Sequence, residues 1–137
     1  MVVRVVRLGT PRVEGEGTRV GTVRRPPRGV PKSLVAAQNW YDVWFPVLAP
    51  SVETMKLGQH ADTPAEWAAF VRKFRTEMSK PEPSHSLSLL AALSQHCNFS
   101  VGCYCESEER CHRSVLRELL VEKGAKVAPK RTSALER

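Results

Sequence analysis

The sequence predicts an α/β protein: one compact, Rossmann-like, three-layer domain with a mostly parallel sheet flanked by helices. Three observations predict this class. β-branched segments stand near the start of the chain, amphipathic helices fill its middle, and a strand–loop–helix unit follows them. Of the 137 residues, 42% are hydrophobic and 26% charged, a globular rather than a disordered composition. We assign residues 1–127 to this single domain and residues 128–137 to a flexible basic C-terminal tail.

The first part of the chain predicts two strands. The β-branched residues 1–8 indicate the first, and residues 18–23 the second. Glycines and a proline in residues 9–17 predict a loop between them. Three prolines in residues 24–31 exclude a helix there and favour extended backbone.

One more extended segment and a short helix follow. The aromatic residues of segment 39–47 predict a strand or a buried extended stretch, in which Pro46 limits strand pairing. A short helix is expected from Ser51 to about Leu57, with Gly58 as its stop.

The next helix has the strongest start signal in the chain. Thr63 can cap it, Pro64 suits its first turn, and Glu66 completes a capping box. Its apolar side chains form one stripe that faces a core. That stripe comprises Trp67, Phe70, Val71, Phe74 and Met78, and the helix is expected to end at residues 80–83.

The last part of the chain predicts helix, strand and helix. We expect a helix over residues 84–96, a buried strand over 98–105 and a final helix from Cys111 or His112 to residues 123–124. The inward positions are Leu87, Leu90, Ala91 and Leu93 in the first helix and Val115, Leu116, Leu119 and Leu120 in the last.

The net charge of +7 is concentrated at the two ends of the chain. Residues 1–32 hold eight basic and two acidic side chains, and residues 123–137 hold five and one. The central residues 33–122 are mildly acidic, with eight basic and eleven acidic side chains. This distribution favours a local anion site plus a basic tail over a uniformly basic coat for nucleic acid.

Four cysteines lie within fifteen residues, which could indicate disulfides. The start of the chain indicates instead that the protein is in a reducing compartment, where thiols stay free. Arg4 and Arg7 interrupt the start before an apolar signal segment can form, and no apolar run approaches the ~20 residues of a membrane span. We therefore expect a cytoplasmic protein without membrane contact, with free thiols rather than disulfides.

The strand–loop–helix of residues 101–114 predicts an anion site. Ligands of open α/β sheets bind beyond the carboxyl ends of the strands, and a helix N-terminus offers free N–H groups. Arg113 adds a guanidinium, and Ser114 lies in the same first turn. The alternative is structural: Arg113 pairs with Glu106 or Glu109, and Ser114 only caps the helix.

The cysteines of this unit allow three interpretations. Cys111 or Cys105, with His112, is a candidate nucleophile, although nearby acidic residues oppose thiolate formation. Cys103, Cys105, Cys111 and His112 are zinc-type ligands, but their spacing is unusual, and adjacent Cys111 and His112 would point apart on a helix. The third interpretation, buried small hydrophobic residues, fits Cys97 and Cys103 best.

Two further segments supply candidate ligand-binding residues. Prolines hold Arg24, Arg25 and Arg28 in a stiff loop, which lowers the entropy lost on binding an anion, unless the loop is merely a solvated charged surface. In the aromatic segment, Tyr41 can stack on a base and Asp42 can pair with an arginine, although such aromatic runs more often belong to the core.

The sequence resembles the domain of unknown function 488 family over about residues 4–125. Residues 21–31 (GTVRRPPRGVP), the YDVWFP and LAPS segments, and the cysteine-rich turn ending in CHRSVL carry the resemblance. It implies a bacterial, Rossmann-like α/β fold with no assigned activity, and its motif falls on Cys103, Cys111, His112 and Arg113. Many members carry an acid two residues after the first cysteine, where this chain has Cys105 followed by Glu106.

These observations predict a protein that binds a nucleotide or another phosphorylated or anionic small molecule at residues 103–114, together with the Arg24–Arg28 loop. The first alternative is a thiol-dependent transferase or hydrolase that uses Cys111 or Cys105 with His112. The second is nucleic-acid binding through the basic termini. Whether the protein is an enzyme stays open, as do its oligomeric state and the question whether the cysteines bind zinc. We expect no cofactor and assign no metal ligands.

Overall fold

All four strands of the described sheet run parallel, where the sequence predicts a mostly parallel sheet. A computed structural model describes residues 1–130. The strand order is β1-β4-β2-β3, and every neighbouring pair is parallel. The α/β, Rossmann-like fold class is therefore confirmed. The strands are β1 (Val3–Arg7), β2 (Thr18–Gly21), β3 (Val43–Trp44) and β4 (Phe99–Cys103), and the helices are α1 (Val52–Gln59), α2 (Pro64–Met78), α3 (Pro81–Leu93) and α4 (His112–Glu122).

Strand β4 lies between β1 and β2, and all five of its residues are buried. A strand covered on both faces needs apolar or small side chains along its whole length, which the sequence FSVGC supplies. Gly102 allows a close approach to β1, because a Cβ atom there would lie 2.6 Å from the carbonyl oxygen of Val6. Because β1, β4 and β2 are parallel neighbours, their carboxyl ends meet at one edge of the sheet.

The predicted start of a helix is confirmed where the sequence contains capping residues. Thr63 and Glu66 form the predicted capping box at the start of α2. Helix α3 begins at Pro81, three residues earlier than expected, because prolines are tolerated in a first turn, where N–H groups lack intrahelical partners. Helix α1 passes through Gly58 and ends at Gln59, so the expected stop at this glycine is wrong.

Two apolar clusters hold the elements together. The larger one joins one side of the sheet to helices α2, α3 and α4, and it includes the predicted inward residues Phe70, Phe74, Leu87 and Leu116. Leu93 is 39% exposed and does not belong to it, contrary to expectation, because α3 ends at this residue. The smaller cluster lies near the carboxyl ends of the strands and comprises Leu8, Val23, Val35, Tyr41, Cys103 and Cys111.

A buried ion pair fixes the loop between β1 and β2. The Arg19 guanidinium donates from Nε and Nη2 to the two carboxylate oxygens of Glu16, at 2.8 and 3.0 Å. Its Nη1 donates to the carbonyls of Thr10 and Asn39. Ser100 donates a further hydrogen bond of 2.6 Å to Glu16. Arg19 and Glu16, which are among the charged residues at the start of the chain, therefore have a structural role.

The aromatic segment differs most from its prediction. Only Val43–Trp44 forms a strand, and both residues are exposed at the sheet edge. Asn39, with a φ of 64°, turns the chain before it. The predicted tail falls mainly on residues 131–137, which lie outside the described part of the chain. In that described part, no helix has the length and apolar character needed to cross a membrane.

Candidate functional site

A cavity of about 870 Å³ opens at the carboxyl edge of the sheet. Its walls come from the ends of β1, β2 and β4, the N-terminus of α4, and helices α1 and α2. This is where open α/β folds bind ligands, and the volume lies within the roughly 300–1,000 Å³ typical of small-molecule sites. We call this space the arginine cavity.

The charged side chains that line the arginine cavity are all basic. Within residues 1–130, the lining contains five arginines and neither aspartate nor glutamate. Low-dielectric walls strengthen the field of such a one-signed set and attract anions into the cleft. The five arginines are Arg7, Arg24, Arg25, Arg28 and Arg110.

The arginine–proline loop (residues 24–28) forms one wall and is tied down at both sides. The Arg24 guanidinium donates to the carbonyls of Ala49 and Pro50, at 2.9 and 3.1 Å. The hydroxyl of Tyr104 donates to the carbonyl of Arg25 at 2.8 Å. The predicted stiff loop is thus held by hydrogen bonds as well as by its prolines, and all three predicted arginines line the cavity.

Aromatic rings form another part of the wall. Trp67 stacks on Phe70 with ring centroids 4.7 Å apart, and both line the cavity. The guanidinium of Arg110 lies over the Trp67 ring, 5.4 Å from its centroid. Deeper in the molecule, Phe74 meets the His112 ring edge-to-face. The cavity therefore combines cationic groups with flat apolar surfaces.

Cys103, Cys111 and His112 come together at the floor of the cavity. Cys103 ends β4 and Cys111 is the N-cap residue of α4. Their sulfur atoms are in direct contact as a disulfide pair, so the expectation of free thiols holds for Cys97 and Cys105 and not for these two. Cys103 is buried as expected, whereas Cys97 is exposed.

The expectation that Cys111 and His112 point apart is wrong. Cys111 has extended backbone (φ −133°, ψ 151°) because it caps the helix instead of belonging to it. Its Sγ consequently lies 3.8 Å from Nδ1 of His112 and accepts a hydrogen bond from the N–H of Arg113. One donor atom from each of Cys103, Cys111 and His112 lies within 4.8 Å of the others.

The His112 ring is neutral and has one defined tautomer. Its Nε2 lies 2.7 Å from the carbonyl oxygen of Thr22, which can only accept, so Nε2 carries the proton. Burial, together with the positive charges of Arg113 and Arg24, lowers the pKa of His112 to about 4. Nδ1 therefore presents a lone pair toward the sulfur of Cys111.

Cys105 lies beyond the end of β4 and lines the cavity separately. The residue is exposed, but partial burial of its thiol raises its pKa, and the charges of Arg113 and Arg7 only partly offset this effect. The raised pKa disfavours the thiolate, which is the nucleophilic form.

Arg113 and Ser114 are not among the residues that line the cavity. Arg113 is 4% exposed and donates from Nη2 to the carbonyl of Cys105 at 2.7 Å. Ser114 donates from Oγ to the carbonyl of Cys111 at 2.9 Å. Both side chains therefore donate to backbone carbonyls of the segment before α4 and stabilise its conformation without lining the cavity.

Tyr41 and Asp42 also lie outside the arginine cavity. Tyr41 is buried against Gly21, and burial raises the pKa of its hydroxyl. Asp42 accepts two hydrogen bonds from Arg12, at 2.8 and 3.1 Å, and one from the N–H of Arg19. Burial opposes ionisation of Asp42, but these hydrogen bonds outweigh it and lower its pKa. The expected arginine partner of Asp42 is therefore Arg12.

Sequence reasoning missed several cavity residues. Arg7 follows directly from its position at the end of β1, since the carboxyl ends of parallel strands share one edge. Arg110, Trp67 and Phe70 come from the loop before α4 and from α2, and no local pattern separates their cavity-facing role from a core or surface role.

Comparisons with known proteins identify a family. A family model described as "DUF488-N3a: Active DUF488-N3 subclade" matches residues 3–124. Searches of curated proteins and of solved structures found no match. The matched range contains every strand and helix described above, together with the residues that line the cavity. The chain belongs to the DUF488 family.

Proposed function

We propose that this protein binds a phosphorylated or otherwise anionic small molecule in the arginine cavity. One observation carries the proposal: the cavity at the carboxyl edge of a parallel sheet is lined by five arginines and, among residues 1–130, by no carboxylate. Guanidinium groups bind phosphate and carboxylate oxygens through paired, charge-assisted hydrogen bonds.

The ligand carries a flat apolar part in addition to its anionic group. Trp67 is the partly exposed ring of this wall and offers apolar surface to a ligand, whereas Phe70 is buried and stacked on both Trp67 and Phe74. The cavity volume of about 870 Å³ exceeds what a bare phosphate needs. Base–aromatic stacking contributes ~1–3 kcal/mol per base. A nucleotide has both features and is the ligand class that we favour.

The arginine side of the cavity is organised before the ligand arrives. Hydrogen bonds fix Arg24 to the backbone at residues 49 and 50, and prolines restrict the backbone between Arg25 and Arg28. Because less side-chain and backbone freedom is lost on binding, more of the interaction energy appears as affinity.

The proposal is tested with calorimetric titrations of inorganic phosphate, pyrophosphate and a panel of nucleotides. Arg25→Ala/Arg28→Ala removes two exposed cationic groups of the cavity rim without touching the fixed Arg24. Since a hydrogen bond to a charged group contributes ~1.5–3 kcal/mol, we expect affinity to fall at least about tenfold. Arg72→Ala/Lys73→Ala, two exposed cations of α2, is the charge-matched control and leaves affinity unchanged. Absence of saturable binding by the wild type would remove the proposal.

A thiol-dependent transferase or hydrolase is the second candidate, and the position of Cys111 favours it. Its sulfur lies at the N-terminus of α4, in the cavity wall and beside Nδ1 of His112. A helix N-terminus stabilises a thiolate. In reduced protein at pH 7, this function predicts that Cys111 is alkylated faster than Cys97 and Cys105. Equal, slow alkylation of all four cysteines would exclude it.

Nucleic-acid binding through the basic termini has less support. Two of the basic residues in the first part of the chain are engaged in ion pairs within the molecule: Arg19 with Glu16, and Arg12 with Asp42. Counterion release makes binding to a polyanion steeply salt-dependent. Binding of an oligonucleotide that weakens strongly between low and moderate salt would support this function over the first one.

A further inference from the structure

We propose that the reduced side chains of Cys103 and Cys111, together with His112, bind one divalent metal ion of the zinc type. Their donor atoms lie within 4.8 Å of one another, which is close enough for a single ion to contact all three. Two thiolates and one imidazole are the donor set that zinc prefers among biological divalent ions. This site goes beyond anion binding and does not depend on it.

The backbone spacing of the two cysteines suits a shared ion. Their Cα atoms are 7.8 Å apart, beyond the roughly 4.4–6.8 Å that disulfide-bonded cysteines usually span. Zinc–sulfur bonds of about 2.3 Å in tetrahedral geometry hold two sulfurs about 3.8 Å apart, which a wider backbone spacing accommodates. Once the sulfur–sulfur contact is reduced, the two sulfurs can therefore separate to that distance without a closer approach of the end of β4 and the start of α4.

The hydrogen bond made by the far side of the His112 ring is the kind that a metal-binding histidine makes. Its Nε2–H donates to the Thr22 carbonyl at 2.7 Å, so the lone pair of Nδ1 points toward the sulfur of Cys111. Metal-binding histidines almost always use their other ring N–H in this way, because the hydrogen bond fixes the tautomer and the ring orientation. The backbone N–H of Arg113 likewise donates to the sulfur of Cys111.

Three protein ligands leave a fourth tetrahedral position, and the cavity supplies the space for it. Cys103, Cys111 and His112 all line the arginine cavity. A site with three ligands and one open position is typical of catalytic zinc, whereas structural zinc has four protein ligands. The ion would thus face the same space as the five arginines, where water or an oxygen of an anionic molecule can complete its coordination.

The test uses the full chain, reduced with a phosphine, freed of metal with a chelator and titrated with Co²⁺ under anaerobic conditions in phosphate-free buffer. Thiolate–cobalt absorption in the near ultraviolet and intense visible d–d bands report tetrahedral binding. We expect saturation at one equivalent in the wild type, and displacement by Zn²⁺ with loss of the bands.

Matched serine variants locate the site. Cys111→Ser keeps a good N-cap side chain on α4, so the helix start is preserved while the metal ligand is lost. We expect its metal affinity to fall on the order of 100-fold or more, a loss at least as large as that from removing an outer-shell partner. Cys105→Ser, in the same cavity but outside the three-residue group, keeps wild-type affinity.

Two outcomes would overturn the metal site. One is a wild type without thiolate–cobalt absorption after full reduction. The other is a Cys105→Ser variant that loses binding as completely as Cys111→Ser, which would move the site to another set of ligands. Phosphate and nucleotide titrations of the metal-free protein are a separate measurement. If no metal binds, the anion proposal is therefore unaffected, and if no anion binds, the metal proposal is unaffected.

Discussion

Replacement of Arg19 by methionine is expected to destabilise the fold strongly. The guanidinium is fully buried and makes four hydrogen bonds: two to the Glu16 carboxylate and one each to the carbonyls of Thr10 and Asn39. Methionine fills most of the volume but leaves Glu16 and both carbonyls without these donors. Removing one partner of a buried ion pair typically costs ~3–5 kcal/mol.

Urea denaturation followed by circular dichroism measures this loss, and the expected free energy corresponds to a fall of roughly 10–15 °C in Tm for a chain of this size. Lys73→Met is the control. Its ion pair with Glu53 spans 3.9 Å, with the two side chains 47% and 88% exposed, so we expect less than about 1 kcal/mol. An Arg19→Met variant within 1 kcal/mol of the wild type would refute the assignment of this pair as the anchor of the β1–β2 loop.

Three further predictions follow from single contacts. Gly102→Ala places a Cβ atom 2.6 Å from a carbonyl oxygen of β1, so we expect it to lower stability by ~1–3 kcal/mol in the same urea assay. Burial opposes ionisation of Glu77, but hydrogen bonds from Ser51 and Thr54 outweigh it and lower its pKa below 4.5; its stabilising effect is therefore complete above about pH 4.5 and lost as the pH falls through the lowered value. Tm measured from pH 7 to pH 3 should accordingly decline less for Glu77→Gln than for the wild type. Trp67→Leu should weaken nucleotide binding ~5- to 100-fold in calorimetry while changing phosphate affinity little, because it removes a stacking surface and not a charge.

Local signals were sufficient for most of the fold. The Thr63–Glu66 capping box, the apolar stripe of α2 and the fully buried β4 each have one low-energy arrangement, and the structure has them where the sequence predicts them. Segment 39–47 was harder, because its aromatic residues satisfy a strand pattern while their actual surroundings depend on distant parts of the chain. Tyr41 packs against Gly21, for example, and Trp44 donates to the carbonyl of Val23.

The sequence predicts where the candidate site lies better than it predicts which residues line it. A strand that ends before a helix N-terminus places Cys103, Cys111 and His112 at the sheet edge, as expected. Their convergence was missed because helical geometry was applied to Cys111, whose extended backbone turns its side chain toward the neighbouring histidine. Arg113 does not line the cavity, because its guanidinium donates to the carbonyl of Cys105 in the loop before α4. The sequence does not show how that loop folds.

The central claim, an anion-binding cavity at the carboxyl edge of the sheet, is tested most directly by nuclear magnetic resonance titration of the ¹⁵N-labelled protein with pyrophosphate. We predict saturable shifts confined to backbone amides around the cavity, in residues 7–10, 23–28 and 103–112. Pyrophosphate that causes no saturable shift, or shifts that saturate only in the basic residues after 123, would contradict it.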